Sequence, residues 1–201
     1  MVNMDDAPKQ KRVLVVNNGS NYTEKIVEIC QRHNFVVDEV NWESFKYHNL
    51  PHDILILSGG HQVTVQDHES EFSEELQLIR KSDKPTIGIC LGFELIAKAF
   101  GSNLSCMPQN EKRELEVSFL VEDPVFEGID RLVVYENHQW KVDEVSKELI
   151  PLASSKDGIE VIKHKTKPIY GFQFHPEEST ENDCGIRLFE NIFTLVRTKN
   201  I

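Results

Sequence analysis

Cys90 is the residue whose surroundings most directly suggest chemistry. It lies in the segment GICLG (residues 88–92), between an apolar run at 84–87 and a helical stretch at 93–100. Small residues two positions before and after a nucleophile are what a sharp strand-to-helix turn needs, and the positive end of the following helix stabilises a thiolate. The pattern predicts a nucleophilic sulfur, although a buried structural cysteine explains the glycines equally well.

A second segment, at 169–177, contains the groups that a cysteine nucleophile needs. Residues 169–174 alternate like a strand and lead into His175, Pro176 and Glu177. A thiolate mechanism requires a base that takes and returns protons, and a third group that fixes the tautomer of that base. Pro176 restricts its own backbone and that of His175, which holds the two side chains in a fixed relation. Each residue alone is more typical of a protein surface, but the set predicts a Cys–His–Glu triad.

Together the two segments, GICLG at 88–92 and QFHPE at 173–177, resemble the paired motifs of class I glutamine amidotransferases, and the resemblance covers nearly the whole chain. It implies that Cys90, His175 and Glu177 hydrolyse the side-chain amide of glutamine through a cysteinyl thioester. It also implies that the reaction needs no metal ion and no organic cofactor.

Two further segments resemble substrate-contacting parts of this family. DILILSGG at 53–60 is a buried strand that ends in a glycine turn, and the resemblance assigns the oxyanion donors to the amides of Gly60 and Leu91, with Gly59 in the substrate site. YENHQW at 135–140 resembles the segment that grips the amino-acid end of glutamine. By position, its substrate-binding residues are Asn137, His138, Gln139 and Trp140. A plain turn and ordinary packing residues are the alternatives.

Two positions depart from the family pattern. Glu94 stands where a glutamine is usual, and His61 stands where a proline usually follows the two glycines. On a helix, residue 94 lies one turn after Cys90 on the same face, so its carboxyl is expected to line the substrate pocket. An ionised carboxylate only accepts hydrogen bonds, so it favours a substrate ammonium and repels a substrate carboxylate. A neutral, diverted or ion-paired Glu94 is the alternative.

The elements that position these residues alternate between strand and helix. A repeated βαβ pattern predicts an α/β fold of the flavodoxin-like type, with an open, mostly parallel twisted sheet, helices on both faces and a small antiparallel addition. The expected strands are at 12–16, 35–40, 54–57, 86–89, 114–121, 131–135, 160–164 and 169–174, and the expected helices at 23–33, 70–81, 93–100 and 185–198.

Composition is consistent with a single domain over residues 12–201, after a polar segment, 1–11, that is a candidate for disorder. The net charge of −11 argues against nucleic acid or an anionic membrane as the main partner. No apolar run approaches the roughly 20 residues of a membrane span, and the polar start is unlike a signal peptide, so a cytoplasmic location is expected. The four cysteines are widely separated, with no Cys-x-x-Cys pair.

The resemblance also implies a partner, because family members usually pass ammonia to a synthase. Segment 111–117 is most similar to the separate glutaminase subunit of GMP synthases, whose partner is a synthase subunit of the ATP pyrophosphatase type. The glutaminase components of anthranilate and aminodeoxychorismate synthases are similar in size. The segment that usually follows the strand-to-helix turn at Cys90 (the elbow) in those proteins is not evident here. Two other functions stay open: a stand-alone hydrolase of γ-glutamyl amides or peptides, and a non-catalytic protein that binds glutamine for regulation.

Overall fold

The computed structural model describes residues 10–46 and 51–198, which form an α/β fold. The first half contains β1 (Arg12–Asn17), α1 (Thr23–Arg32), β2 (Val36–Asn41), β3 (Ile54–Leu57), α2 (Ser73–Lys81), β4 (Thr86–Ile89) and α3 (Leu91–Ala99). The second half contains β5 (Ser105–Phe119), β6 (Leu132–Lys141), β7 (Leu149–Ser154), β8 (Ile159–His164), β9 (Ile169–Phe172) and α4 (Cys184–Thr198). Short 3₁₀ helices cover Trp42–Ser44 and Pro124–Phe126.

The strands of the described residues form one nine-stranded sheet in the order β2-β1-β3-β4-β9-β8-β7-β5-β6. The four pairings from β2 to β9 are parallel. The four from β9 to β6 are antiparallel. The expectation of a mostly parallel sheet with a small antiparallel addition is therefore wrong in its proportions, because the sheet is mixed and its antiparallel part is as large as the parallel part. The α/β class itself is confirmed.

Helices cover both faces of the parallel half, as expected. Apolar residues of β1 and β3 alternate between two cores, as a strand buried on both faces requires. One core includes Ile26 of α1 and Leu188 of α4. The other includes Ile79 of α2 and Leu95 of α3. Helices thus pack on both faces of the sheet, and the loops at the carboxyl ends of its strands remain available to form a site.

The carboxyl ends of β3, β4 and β9 lie side by side at that edge. Leu57 of β3 pairs with Gly88 of β4, and Ile89 of β4 pairs with Phe172 of β9. The glycine turn after β3, the elbow after β4 and the segment after β9 therefore converge, which is the usual position of a ligand site in such sheets.

Part of the polar segment 1–11 lies outside the described residues, namely 1–9. Lys11, which is described, accepts a hydrogen bond at its carbonyl from the backbone N–H of Val36 at 3.0 Å and donates from its Nζ to the Val196 carbonyl at 3.0 Å. Among the residues described, no helix has the length and apolar character needed to cross a membrane.

Candidate active site

Cys90 occupies a strained turn between β4 and α3. Its φ is +51° and its ψ is −104°, a conformation that non-glycine residues rarely adopt and that is typical of functional sites. The turn is possible because two glycines let the backbones approach closely. A Cβ on Gly88 would lie 2.4 Å from the Gly92 carbonyl oxygen, and one on Gly92 would lie 2.3 Å from the Leu57 carbonyl oxygen. The elbow therefore presses α3 against the sheet and places Cys90 directly before the positive end of the helix.

His175 and Glu177 follow β9 and lie beside Cys90. His175 Nδ1 is 2.8 Å from Glu177 Oε1, and because a carboxylate accepts, this nitrogen carries the proton and directs Nε2 elsewhere. The His175 backbone N–H donates to the Tyr135 carbonyl at 2.9 Å, which ties the segment to β6. Burial alone would lower the pKa of His175, but Glu177 and the Cys90 sulfur outweigh it and raise that pKa well above its ordinary value. A basic imidazole of this kind is suited to take the proton of a thiol.

The residues predicted to supply the oxyanion donors lie in the wall of one cavity. Gly60 and Leu91 both line the cavity in front of Cys90, and Leu91 is the first residue of α3, where helix geometry offers its N–H no internal acceptor. A Cβ on Gly60 would lie 2.3 Å from the Asn18 carbonyl oxygen, so this turn admits only glycine. Gly59 does not line this cavity but packs against Cys90 and His175, since its Cβ would be 2.9 Å from His175 Cε1 and 3.4 Å from Cys90 Cβ.

Hydrogen bonds between buried polar residues stabilise the glycine turn. The Asn18 backbone N–H donates to Ser58 Oγ at 2.9 Å, and its Nδ2 donates to the Ser58 carbonyl at 3.1 Å and to Glu75 Oε2 at 3.3 Å. Glu75 is buried on α2, and burial raises its pKa to about 8, with the Asn18 bond acting in the opposite direction. A protonated Glu75 at neutral pH is the form that suits this position.

A cavity of about 390 Å³ opens in front of Cys90. Its wall opposite the elbow is the predicted segment on β6, and the Asn137 carbonyl oxygen lies 3.8 Å from Cys90 Sγ. The cavity is lined by Ser20, Asn21, Tyr22, Gly60, His61, Val63, Thr64, Cys90, Leu91, Glu94, Asn110, Asn137, His138, Gln139, Trp140 and His175. The structure thus brings to one cavity every predicted site residue except Gly59, which lies beneath it, and Glu177, which lies behind His175.

Glu94 lies in the cavity wall on α3, as its helical position predicts. The side chain is buried, and burial raises the pKa of its carboxyl to about 7, with His138 and Gln173 opposing the shift. Glu94 is therefore part neutral and part ionised near neutral pH. His61, the other departure from the family pattern, is exposed at the rim of the same cavity.

Several cavity residues carry no motif in the sequence. The Tyr22 ring lies edge-on to the His175 ring, with the centroids 4.8 Å apart, and its hydroxyl is 3.4 Å from Asn137 Nδ2. Asn110 donates from Nδ2 to Asn137 Oδ1 at 3.0 Å. Ser20 and Asn21 lie in the loop after β1, and the position of that loop at the carboxyl end of a central strand is the one signal that could have revealed them.

Comparison with known proteins decides the family. The family model described as glutamine amidotransferase class-I matches residues 14–195, which is most of the chain. The chain belongs to the class I glutamine amidotransferases. A relative from Methanothermobacter thermautotrophicus, named as a glutamine-hydrolyzing GMP synthase subunit, is 35% identical over 146 residues, covering 72% of this amidotransferase and 75% of the relative. A protein of the same name from Methanobrevibacter smithii is 29% identical over 191 residues, covering 93% and 97% of the two chains.

Solved structures agree with the fold of this amidotransferase. A crystal structure from Thermoplasma acidophilum, described as that of a GMP synthase subunit, superposes with a TM-score of 0.85 at 25% identity and covers 96% of this chain and 98% of that one. A glutamine amidotransferase from Thermotoga maritima superposes with a TM-score of 0.73 at 21% identity, covering 96% and 87%, which is a likeness of fold alone.

Proposed function

We propose that this chain hydrolyses the side-chain amide of L-glutamine to glutamate and ammonia, and that it passes the ammonia to a synthase partner. The single observation that carries the proposal is the buried assembly of Cys90, His175 and Glu177 at the wall of a cavity large enough for an amino acid. The relatives named as glutamine-hydrolyzing GMP synthase subunits support the same chemistry.

The reaction follows from the roles that these residues can fill. The Cys90 thiolate attacks the amide carbon, and the oxyanion that forms accepts hydrogen bonds from the amides of Gly60 and Leu91. His175 gives its proton to the nitrogen as the carbon–nitrogen bond breaks, so ammonia leaves and a glutamyl thioester remains. His175 then takes a proton from water, which attacks the thioester; the carbon–sulfur bond breaks, glutamate leaves, and the thiolate and the charged imidazole are restored. Glu177 keeps the imidazole oriented and stabilises its charged form in both steps.

The proposed partner is a synthase subunit of the ATP pyrophosphatase type, with both proteins in the cytoplasm. Support comes from the names of the relatives, each of which is one subunit of GMP synthase. A second, ammonia-consuming protein explains why these relatives are named as parts of a synthase.

The test is glutamate release from L-glutamine, measured for the purified chain with and without a candidate GMP synthase partner. We expect release that increases when the partner is added and that Cys90→Ala abolishes, whereas Cys106→Ala, which changes an exposed cysteine, leaves it unchanged. Release that survives in Cys90→Ala would refute the assigned nucleophile. An intact chain that binds glutamine without hydrolysing it, even with the partner, would identify a regulatory protein instead.

Glu94 favours a second candidate function, the hydrolysis of γ-glutamyl amides or peptides without a partner. Its carboxyl lines the cavity where the family usually has an amide, so the charge and the hydrogen-bonding groups in the substrate cavity differ from those of the family. Cys90-dependent glutamate release from a panel of γ-glutamyl peptides, faster than from glutamine and unaffected by the partner, would establish this alternative.

A further inference from the structure

A cluster of three buried side chains lies behind the cavity and takes no part in the reaction above. Glu136 and His138 alternate on β6 and so share one face, and Glu160 reaches the same point from β8. One ligand-type atom from each of the three lies within 4.8 Å of the others. The three side chains are almost completely removed from solvent, with residue exposures of 0%, 4% and 1%.

The polar atoms that face the centre of this cluster lack hydrogen-bond partners. Both carboxylate oxygens of Glu136, His138 Nε2 and Glu160 Oε2 are buried and unpartnered among the described residues. Leaving a buried polar group without a partner costs about 1 to 3 kcal/mol, and a charged group costs more. Three such side chains, with one polar atom of each within 4.8 Å of the others, indicate that a positive charge belongs between them.

The outer contacts orient each side chain as a metal ligand. His138 Nδ1 lies 2.8 Å from the Trp140 carbonyl, so Nδ1 carries a proton, and in the neutral imidazole Nε2 offers a lone pair towards Glu136 Oε1, 3.7 Å away. Two acceptors that face each other across this distance repel unless a cation or a proton on Nε2 separates them. Glu160 is fixed by the Ser155 hydroxyl, which donates to its Oε1 at 2.7 Å and leaves Oε2 free. Metal-binding histidines and carboxylates typically make hydrogen bonds of this kind, in which the atom that does not bind the metal contacts a neighbouring residue.

The nearest cation does not neutralise the cluster. Arg113 Nη2 lies 3.6 Å from Glu136 Oε2, beyond hydrogen-bonding distance, and the same guanidinium pairs with Glu111 and Asp157. The single positive charge of Arg113 is thus shared among the carboxylates of Glu111, Glu136 and Asp157, and Glu160 is not one of these partners. Two buried carboxylates and one imidazole remain, a donor set of oxygen and nitrogen that suits Zn²⁺ or Mn²⁺.

We propose that Glu136, His138 and Glu160 form a binding site for one divalent transition-metal ion, Zn²⁺ or Mn²⁺. The ion takes Nε2 of His138 and one oxygen from each carboxylate, with water at an open position. Metal–ligand distances of about 2.0 to 2.2 Å require the three ligand atoms, now within 4.8 Å of one another, to draw together when the ion binds. The ion enters through the cavity, whose wall includes His138. It links β6 to β8 and fixes the strand that carries Asn137.

The test measures metal content and thermal stability, and it does not depend on catalysis. The purified, untagged full chain is dialysed against Zn²⁺ or Mn²⁺ in separate arms, freed of unbound ion, and analysed by elemental mass spectrometry and thermal melting. We expect about one equivalent of bound ion and a raised Tm in the wild type. Cys106→Ser serves as the background in the Zn²⁺ arm, because it removes the exposed thiol, and Mn²⁺ binds thiolates poorly.

Glu136→Gln and Glu160→Gln keep the shape of each side chain and remove its charge. Each variant should bind the ion at least about tenfold more weakly and lose the Tm increase, while Glu114→Gln, an exposed position on β5, behaves as the wild type. Without metal, both variants should melt at or above the wild-type Tm, which separates loss of a ligand from loss of folding. A wild type that retains neither ion, or variants that retain it equally, would overturn the proposal and leave a shared proton as the neutralising charge.

Discussion

The pair formed by His175 and Glu177 determines the reactivity of Cys90. Its 2.8 Å contact stabilises a charged imidazole, and a charged imidazole in turn stabilises the thiolate. The helix that begins at Leu91 acts in the same direction. At this scale the proposed activity depends on a buried ion pair, and the reactivity of the Cys90 sulfur reports on it.

Glu177→Gln should therefore slow the alkylation of Cys90 at neutral pH. Loss of the carboxylate lowers the pKa of His175, which leaves the imidazolium less available to stabilise the thiolate. We expect the rate of the iodoacetamide reaction at about pH 7 to fall about tenfold, which corresponds to about 1.4 kcal/mol. Glu178→Gln is the matched control, because its carboxylate pairs with Lys25 outside the triad. An unchanged rate in Glu177→Gln would contradict the assigned role.

Glu94→Gln should change the selectivity between free glutamine and γ-glutamyl peptides. The wild-type carboxyl, with a pKa of about 7, is neutral below that pH and charged above it, so its interactions with the substrate change as the pH rises through that value. We expect the ratio of kcat/KM for glutamine to that for a γ-glutamyl peptide to change about fivefold or more at about pH 8. The ratio should also lose its pH dependence around neutrality. Equal ratios in both proteins under these alkaline conditions would exclude Glu94 from specificity.

The sequence identified residues that form contiguous motifs and missed those that meet only in space. Cys90, His175 and Glu177 were found because the elbow and the His-Pro-Glu turn have local signatures. Tyr22 and Asn110 carry no such signature, and only the folded chain brings them to Asn137. The alternation of Glu136 and His138 on one strand face was readable, but the third member of that cluster comes from another strand.

At the scale of elements, the contact between α3 and the sheet depends on Gly92. Alanine has a higher helix propensity than glycine by about 1 kcal/mol, so Gly92→Ala would be stabilising if nothing opposed the new methyl group. A Cβ here would lie 2.3 Å from the Leu57 carbonyl oxygen, and α3 would have to move away from β3. We expect a net loss of about 2 to 3 kcal/mol and a Tm lower by about 5 to 10 °C in thermal melts.

Gly101→Ala is the comparison for this effect. Its Cβ would meet no atom within 4 Å, but its φ of +85° is unfavourable for alanine. The expected cost is about 1 kcal/mol and arises from the backbone alone. If Gly92→Ala were no more destabilising than Gly101→Ala, the close packing of the elbow would not limit stability.

Glu75 connects α2 to the glycine turn and should make stability depend on pH. The pKa of this carboxyl is 4.5 in its ordinary state and about 8 in the fold, so the folded protein retains a proton that the unfolded chain releases. The contribution of this group to the free energy of unfolding is therefore greatest below pH 4.5 and declines as the pH rises to about 8. Glu75→Gln should raise the free energy of unfolding at about pH 8 by about 1 to 3 kcal/mol.

Denaturant unfolding at about pH 5 and about pH 8 measures this difference. The gain should be smaller at the acidic value, and Glu71→Gln, an exposed residue before the same helix, should show none at either pH. A gain of equal size at both values would mean that the proton on Glu75 is not the cause.

The elements were predicted best where burial alone defines them. β3 and β4 have the predicted bounds, because a short apolar run between polar turns is typical of a strand that is buried on both faces. β5 was predicted at 114–121 but spans Ser105–Phe119, because its first part is polar and pairs with β6 as a solvent-facing ribbon. β7 was not predicted, because its sequence contains Pro151 and few β-branched residues and is therefore not typical of a strand. That strand and the length of β5 account for the underestimated antiparallel half.

For the whole molecule, β9 is the only strand among the described residues that joins the two halves of the sheet. It pairs in parallel with β4 on one side and antiparallel with β8 on the other, and its four residues are all buried. In hydrogen–deuterium exchange, we expect peptides covering 169–172 to exchange only through global unfolding, while the edge strand β2 exchanges at least about tenfold faster. Comparable exchange rates in β9 and β2 would show that the halves open independently.

The central position of β9 in the sheet also determines at which stage of protein synthesis the active site can form. A growing polypeptide emerges with its amino-terminal part first, and β4, which leads into Cys90, lacks its neighbour on one side until residues 169–172 have been made. Until then, Cys90 has no imidazole beside it, because His175 is synthesised later still. The newly made sulfur therefore lacks the base that the proposed reaction needs, and hydrolysis of glutamine has to wait until residues 175–177 have been made and have folded beside it.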